Sequence, residues 1–205
     1  FTGLTAWGFF LETVTGGTGS IVANSGLVKK VYLPREIFPL STLGTSAVNS
    51  AIQLVILLGA IVVTGAIPSL AQLAYLPLAL VVLVVYATLF ALLLSALNVY
   101  MRDIQHLIEV ITFLAFWASP IVYSYSYVQK ALAVNYPVAH EIYLANPVTL
   151  AILGFQRSLW EAGIDQPYPV HLMIRLAVAA LIGIVLIFGA HRVFARLEGN
   201  FAQEL

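Results

Sequence analysis

The chain has 205 residues, of which 61% are hydrophobic and only 9% charged, with a mean hydropathy of +0.97, values far from those of a soluble domain. Nine Lys and Arg balance nine Asp and Glu, so there is no basic excess to suggest a nucleic-acid partner. The absence of cysteine excludes disulfides, thiol chemistry and Cys-based metal sites.

The first apolar segment runs from Thr2 to Ala23 and carries Glu12, several threonines and the Gly16-Gly17 pair. A helix there is polar, with the glycine pair as a point of interruption. Phe1 opens the chain inside this segment without Met and without a charged leader, so the segment does not read as a signal peptide. The chain is therefore expected to lack its natural N-terminus. At mid-membrane Glu12 would cost roughly 2.5 to 3.5 kcal/mol, so it must face protein or water. Three readings stay open for it: a substrate contact, a side chain bonded within the bundle, or a sign that the segment is not a plain span.

Residues 24–34 follow, with Lys29 and Lys30 beside Leu27, Val28, Val31 and Tyr32. They read either as a short amphipathic interfacial helix or as an ordinary basic loop. Pro34 ends it or opens the next helix.

From Ile37 to Met101 there is no Asp, Glu, Lys, Arg or His. A crossing takes roughly 20 helical residues, so this run holds two, Leu40 to Thr64 and Leu70 to Leu97, divided at Gly65-Ala66-Ile67-Pro68-Ser69. Ionic residues bracket the hairpin: Arg35 and Glu36 before it, Arg102 and Asp103 after it. A fourth crossing is expected from Ile104 to Tyr123 and a fifth from Val170 to Val193. Alternation puts Lys29, Lys30, Arg35, Arg102, Arg192 and Arg196 on one face, which the positive-inside rule makes cytoplasmic.

Between the last two crossings, residues 124–169 are too long for a connection and too apolar for a linker. Val128 to Val134 and Val148 to Trp160 read as two short helices separated by the Asn146-Pro147 turn. They form either an outer gate or an interfacial cap.

No phosphate loop, zinc-protease pair or nucleophile elbow is present, so no catalytic residue and no metal site is expected. Asp103, His106 and Glu109 share a helix face, a spacing that suits a structural or docking role better than a metal or proton site. Trp7, Phe9, Phe10, Phe113, Phe116, Trp117 and Tyr123 gather on the first and fourth crossings. Their default roles are interface anchoring and packing, yet such faces also stack on sugar rings and let a glycan slide.

Several stretches, in order along nearly the whole chain, carry a resemblance: Gly3-Leu4 with Trp7 and Phe9-Phe10; Asn24 through Glu36; Asn98-Val99-Tyr100-Met101-Arg102-Asp103; Ser119-Pro120 to Tyr123; Ala145-Asn146-Pro147 with Arg157; and Glu198 to Leu205. On these the chain resembles the membrane subunit of ABC-2 type exporters, above all the polysaccharide and teichoic-acid permeases. The resemblance implies an all-α polytopic membrane protein, a single type V exporter transmembrane domain over residues 1–205. Five of six crossings would be present, with two short re-entrant outer helices.

It further implies that the chain is not itself an enzyme and binds no cofactor. ATP and magnesium would sit on two copies of a separate ATPase. The permease would pair with a second copy of itself in a bacterial inner membrane and pass a lipid-linked glycan, an O-antigen, teichoic acid or wall galactan, across it. Residues 24–34 would be the coupling helix, with Arg35 and Glu36 beside it, and the tail would be cytoplasmic. Residues 124–169 would be the extracellular gate, and Trp7, Phe9, Phe10, Glu12, Phe113, Phe116, Trp117 and Tyr123 the substrate pathway. Asn98, Arg102, Asp103, Pro120, Asn146, Pro147 and Arg157 would be structural. Other readings are an ABC-2 exporter of a drug, lipid or peptide, an ion-gradient carrier, a membrane-embedded glycosyltransferase or a passive scaffold.

Overall fold

The structure, a computed structural model, describes residues 1–30, 33–65, 67–133, 135–159 and 166–204, without the side chains of 202 and 203, and every regular element among them is helical. The first segment forms α1 (Thr2–Ala23), a continuous helix that runs through Gly16-Gly17 without interruption. Its hydroxyls bond back to its own carbonyls: Thr15 Oγ1 to Leu11 O, Thr18 Oγ1 to Val14 O and Ser20 Oγ to Gly17 O, each at 2.7 Å. A polar sequence thereby becomes a helix that can be buried at the centre of the bundle.

A single turn, α2 (Ser25–Val28), follows at one end of the molecule. The expected amphipathic helix over residues 24–34 is thus one turn long, with Lys29 and Lys30 in the turn after it; Val31 and Tyr32 lie outside the described residues.

The charge-free run forms the expected hairpin of α3 (Ile37–Thr64), α4 (Leu70–Leu73) and α5 (Tyr75–Tyr100). Its turn has local causes. Gly65 closes α3 at φ +75°, a left-handed cap open to glycine at no steric cost. Ser69 then opens α4 reciprocally: the Gln72 N–H donates to Ser69 Oγ (3.3 Å) and the Ser69 N–H to Gln72 Oε1 (2.6 Å). Ala66 of this turn lies outside the described residues.

Helix α6 (Ile104–Ala118) is shorter than the expected crossing to Tyr123. Ser119 precedes Pro120 and adopts extended angles, φ −94° and ψ 152°, so the helix stops after 15 residues, about 22 Å of rise.

The described residues between 124 and 169 hold more helices than the two expected. They begin with α7 (Tyr125–Val128) and a π turn (Gln129–Ala133). An unexpected α8 (Pro137–Ala145) follows, then α9 (Pro147–Leu159). Pro137 at the start of α8 was the available signal. Val134 and Trp160, the expected ends of the two outer helices, lie outside the described residues. Helices α8 and α9 meet at an 82° bend centred on Asn146. Asn146 Oδ1 accepts the N–H groups of Val148 (3.0 Å) and Thr149 (3.4 Å), and Pro147 supplies a first helical residue that needs no N–H partner. Asn146→Ala should cost about 1 kcal/mol and Asn146→Gly only a few tenths. Thermal unfolding of the purified protein distinguishes them.

The last long helix is α10 (Leu172–Leu197), followed by a 3-10 turn (Glu198–Asn200) and α11 (Phe201–Glu204). Among the described residues three helices are long and apolar enough to cross a membrane, Ile37–Thr64, Leu70–Tyr100 and Leu172–Asn200, and the bent α8–α9 pair makes a fourth if counted as one span. Helix α1 has the length but is too polar to join them, and α6 is too short.

Packing explains the division of labour. Helix α5 is the hub, lying against α1, α3, α9 and α10, with 56% of its most apolar stretch buried. The corresponding figure for α3 is 11%, so most of its apolar surface turns outward, as lipid contact requires. Close approach to α5 depends on small residues. A Cβ at Gly17 would meet Ala91 Cβ at 2.6 Å, and one at Gly154 would meet Ala79 Cβ at 2.8 Å.

Candidate functional site

Three features share the molecule: a groove along α1, an apolar and cationic surface at one end and a braced helix cluster at the other. The groove runs along α1, against α6 in one half and between α3 and the first turn of α6 in the other. Its upper half, about 460 Å³, is lined by Trp7, Leu11, Thr15, Glu109, Thr112, Phe113 and Phe116. Its lower half, about 470 Å³, takes Thr15 again and continues past Gly16, Gly19 and Ser20 to Asn24, with Ser41, Thr42 and Gln105 on the walls. Helical rise places Trp7 and Asn24 about 25 Å apart, most of a bilayer core. The groove is thus aromatic in one half and lined with hydroxyl and amide groups in the other.

The predicted pathway residues divide. Trp7, Phe113 and Phe116 line the groove, and the Trp7 and Phe116 rings lie 5.9 Å apart. Trp117 stacks edge-on to Phe116 at 5.8 Å and is exposed. Phe9 and Phe10 line neither half of the groove; both are buried in the core, with Phe10 edge-on to Phe90 at 6.1 Å, and Trp7 is buried beside them, meeting the groove with only 4% of its surface exposed. A helix that is buried on most sides cannot present three neighbouring aromatics to one groove. Tyr123 belongs to the outer end, where its hydroxyl donates to Ala118 O at 2.7 Å.

Glu12 is held by α3: Asn49 Nδ2 donates to Glu12 Oε1 at 2.6 Å, with Asn49 exposed. The pair therefore bonds two helices while lying on the rim of the bundle. A carboxylate and a carboxamide at that position need water or protein beside them. Asn49, Thr42 and Gln105 escaped sequence reading because an uncharged polar residue in an apolar run carries no positional signal; only the fold shows that they converge on α1.

The surface at one end gathers the turn after α1, the α5–α6 turn and the far end of α10, the three segments expected to share a side. Val28 is buried there, whereas Leu27, Lys29, Lys30 and Leu33 are exposed, an apolar and cationic surface. Arg102 and Asp103 are exposed in the α5–α6 turn and line a depression with Tyr100 and His106. Behind that turn Asn98 is buried. Its Nδ2 donates to Thr18 O (3.1 Å) and its Oδ1 accepts from the Gln105 N–H (3.2 Å), joining α5, α1 and the first turn of α6. His106 and Glu109 approach to 3.7 Å on the exposed side of α6, and no group of three metal-ligating side chains occurs among the described residues.

The opposite end is cross-braced. Gln156 Nε2 donates to Pro120 O (2.7 Å), tying α9 to the end of α6. Arg175 makes a two-pronged pair with Glu141 (2.8 and 3.0 Å), and Tyr125 Oη lies 2.8 Å from His140 Nε2. Arg157 stacks over the Tyr168 ring at 4.8 Å. Burial pushes the Tyr168 hydroxyl up to about 12, with the Arg157 charge acting in the opposite direction. Tyr75, Arg157, Gln166 and His171 border a cavity of about 620 Å³ there.

Comparison with known proteins fits this arrangement. The chain is 26% identical over 205 residues to the O-antigen export system permease protein RfbA of Myxococcus xanthus, covering 100% of this chain and 74% of that protein. Two proteins of the same name from Klebsiella pneumoniae are 23% and 24% identical over 204 residues, covering 100% of this chain and 73% of each relative. The profile of the ABC-2 type transporter family matches residues 3–160. This multi-pass, all-helical membrane protein belongs to the ABC-2 type transporter family.

Proposed function

We propose that the chain is the permease subunit of an ATP-driven exporter that carries a lipid-linked polysaccharide from the cytoplasmic to the outer side of a bacterial inner membrane. The observation that carries this reading is the groove along α1: aromatic rings with the Glu109 carboxylate in one half, hydroxyls and amides in the other, over about the depth of a bilayer core. Rings stack on sugar faces and polar groups exchange hydrogen bonds with sugar hydroxyls, which suits a chain that slides. Family membership and the O-antigen export relatives point the same way.

The groove is open along one side, where Val110, Phe113, Leu114 and Trp117 of α6 are exposed beside it. A second copy of the chain facing it closes the groove into a conduit. Energy comes from two copies of a separate ATPase that bind ATP and magnesium; the permease itself performs no chemistry. The face carrying Leu27, Lys29 and Lys30 receives them, which makes that end and the segment after α10 cytoplasmic and residues 124–169 the outer gate.

Reconstitution with the ATPase and a lipid-linked oligosaccharide tests the reading. Glycan should appear on the far side only with ATP. Export of lipids or drugs but not glycan would change the cargo, and transport without the ATPase would favour an ion-driven carrier.

A further inference from the structure

The end of the bundle that carries the docking face has a small core of its own, separate from the main one. Ile21, Val28, Phe38, Leu92, Ala96 and Val99 pack there around Phe194 and Phe201, both fully buried. Phe201 lies beyond the last long helix, yet three rings or charges converge on it. Phe194 is edge-on at 5.7 Å, Tyr100 edge-on at 6.1 Å, and the Arg35 guanidinium stands 5.7 Å from its ring centroid. The Tyr100 hydroxyl donates to Leu197 O at 2.7 Å, fixing the backbone that delivers Phe201. One residue on, Glu36 Oε1 lies 2.8 Å from His191 Nδ1, within reach of its N–H.

The segment between α2 and α3 therefore touches the region around α10 through two successive side chains, Arg35 and Glu36, and through Phe38. This is more than a loop of that length needs for closure.

We infer that Phe201, with His191 and Phe194, is a clamp that makes the segment from Val28 to Phe38, α5 and α10 move as one body. Phe201 is accordingly a positioning residue for coupling. The inference rests on the exporter reading, because coupling presupposes an ATPase at Lys29-Lys30. It adds that Phe201, buried beyond α10, determines how much of the stroke reaches the bundle.

The experiment uses the full permease with its ATPase in proteoliposomes and compares Phe201→Ala, Phe201→Tyr and the Glu36→Gln/His191→Gln double-mutant cycle. Export and ATP hydrolysis are measured together, and amide exchange is followed over residues 25–38. Phe201→Ala should retain ATPase binding and hydrolysis but lose about tenfold in glycan exported per ATP, with faster exchange over residues 33–38. Phe201→Tyr should restore both, and the Glu36 and His191 changes should be non-additive. Phe188→Ala, an exposed aromatic on α10, is the control and should change neither.

Unchanged exchange and an unchanged export ratio in Phe201→Ala would overturn the clamp. Should Phe201→Ala fail to accumulate, the Glu36/His191 cycle decides: additive effects on the ratio overturn it, and coupled ones support it. Failure of the exporter reading shows separately, in the unmodified complex, as absent ATP-dependent export; exchange at residues 33–38 then still decides whether the clamp exists.

Discussion

Gly17→Leu is expected to leave almost no folded protein. Helices α1 and α5 approach so closely that even a Cβ at Gly17 would stand 2.6 Å from Ala91 Cβ and 3.1 Å from Ala91 Cα. Ala91 is a one-carbon side chain on the central helix and is itself buried, so it has no rotamer by which to yield, and relief requires the two backbones to part. Overpacking of this kind costs about 1–3 kcal/mol for a methyl group and more for leucine, against a total stability on the order of 5–15 kcal/mol. The mechanism has a specific rescue. Gly17→Ala alone should lower the unfolding midpoint, and adding Ala91→Gly should recover most of the loss by removing the 2.6 Å contact. Unfolding of the two single variants and the double variant in detergent checks this; additive losses would show that the crossing is not what Gly17 protects.

The second large effect belongs to Asn98. Its carboxamide is buried and spends one donor on α1 and its acceptor on α6. The Gln105 N–H lies in the first turn of α6, where no intrahelical carbonyl is available to it. Asn98→Leu leaves that N–H unpaired and removes the link to Thr18 O, for an expected loss of about 2–3 kcal/mol. Because the α5–α6 turn loses its anchor, proteolysis near Arg102-Asp103 should accelerate as the unfolding midpoint falls. Asn98→Asp keeps the acceptor for Gln105 but cannot donate to Thr18 O and adds a buried charge, so it should not rescue the protein.

These residues also show where sequence reading succeeds and where it stops. The hairpin over Ile37–Met101 was legible because the absence of charge over that length and the Gly65 to Ser69 turn are properties of the chain itself. Likewise, the break at Asn146-Pro147 follows from local chemistry. Gly16-Gly17 misled for the opposite reason: a glycine pair reads locally as a weak point, and only the neighbouring Ala91 reveals it as a close crossing. Pro120 was recognised as part of a motif, but its effect on the length of α6 was not drawn. The aromatics of the first and fourth crossings are legible as a cluster, but only the fold shows that Trp7, Phe113 and Phe116 meet the groove while Phe9 and Phe10 do not. The polar half of the groove is not legible in the sequence, since Thr42 and Gln105 are separated in sequence and acquire meaning only where α3 and α6 flank α1.

The absence of cysteine permits a direct test of the central claim that the groove along α1 is a water-lined pathway. Single cysteines at Thr15, Thr42, Gln105 and Glu109 should react with a membrane-impermeant thiol reagent when the permease is assembled with its ATPase in vesicles. Cysteines at Val63 and Val185, exposed on the outer faces of α3 and α10, should not react. Bound lipid-linked glycan should protect the groove positions. Groove cysteines as unreactive as Val63→Cys and Val185→Cys, in a complex that exports, would place the polysaccharide elsewhere and contradict the account.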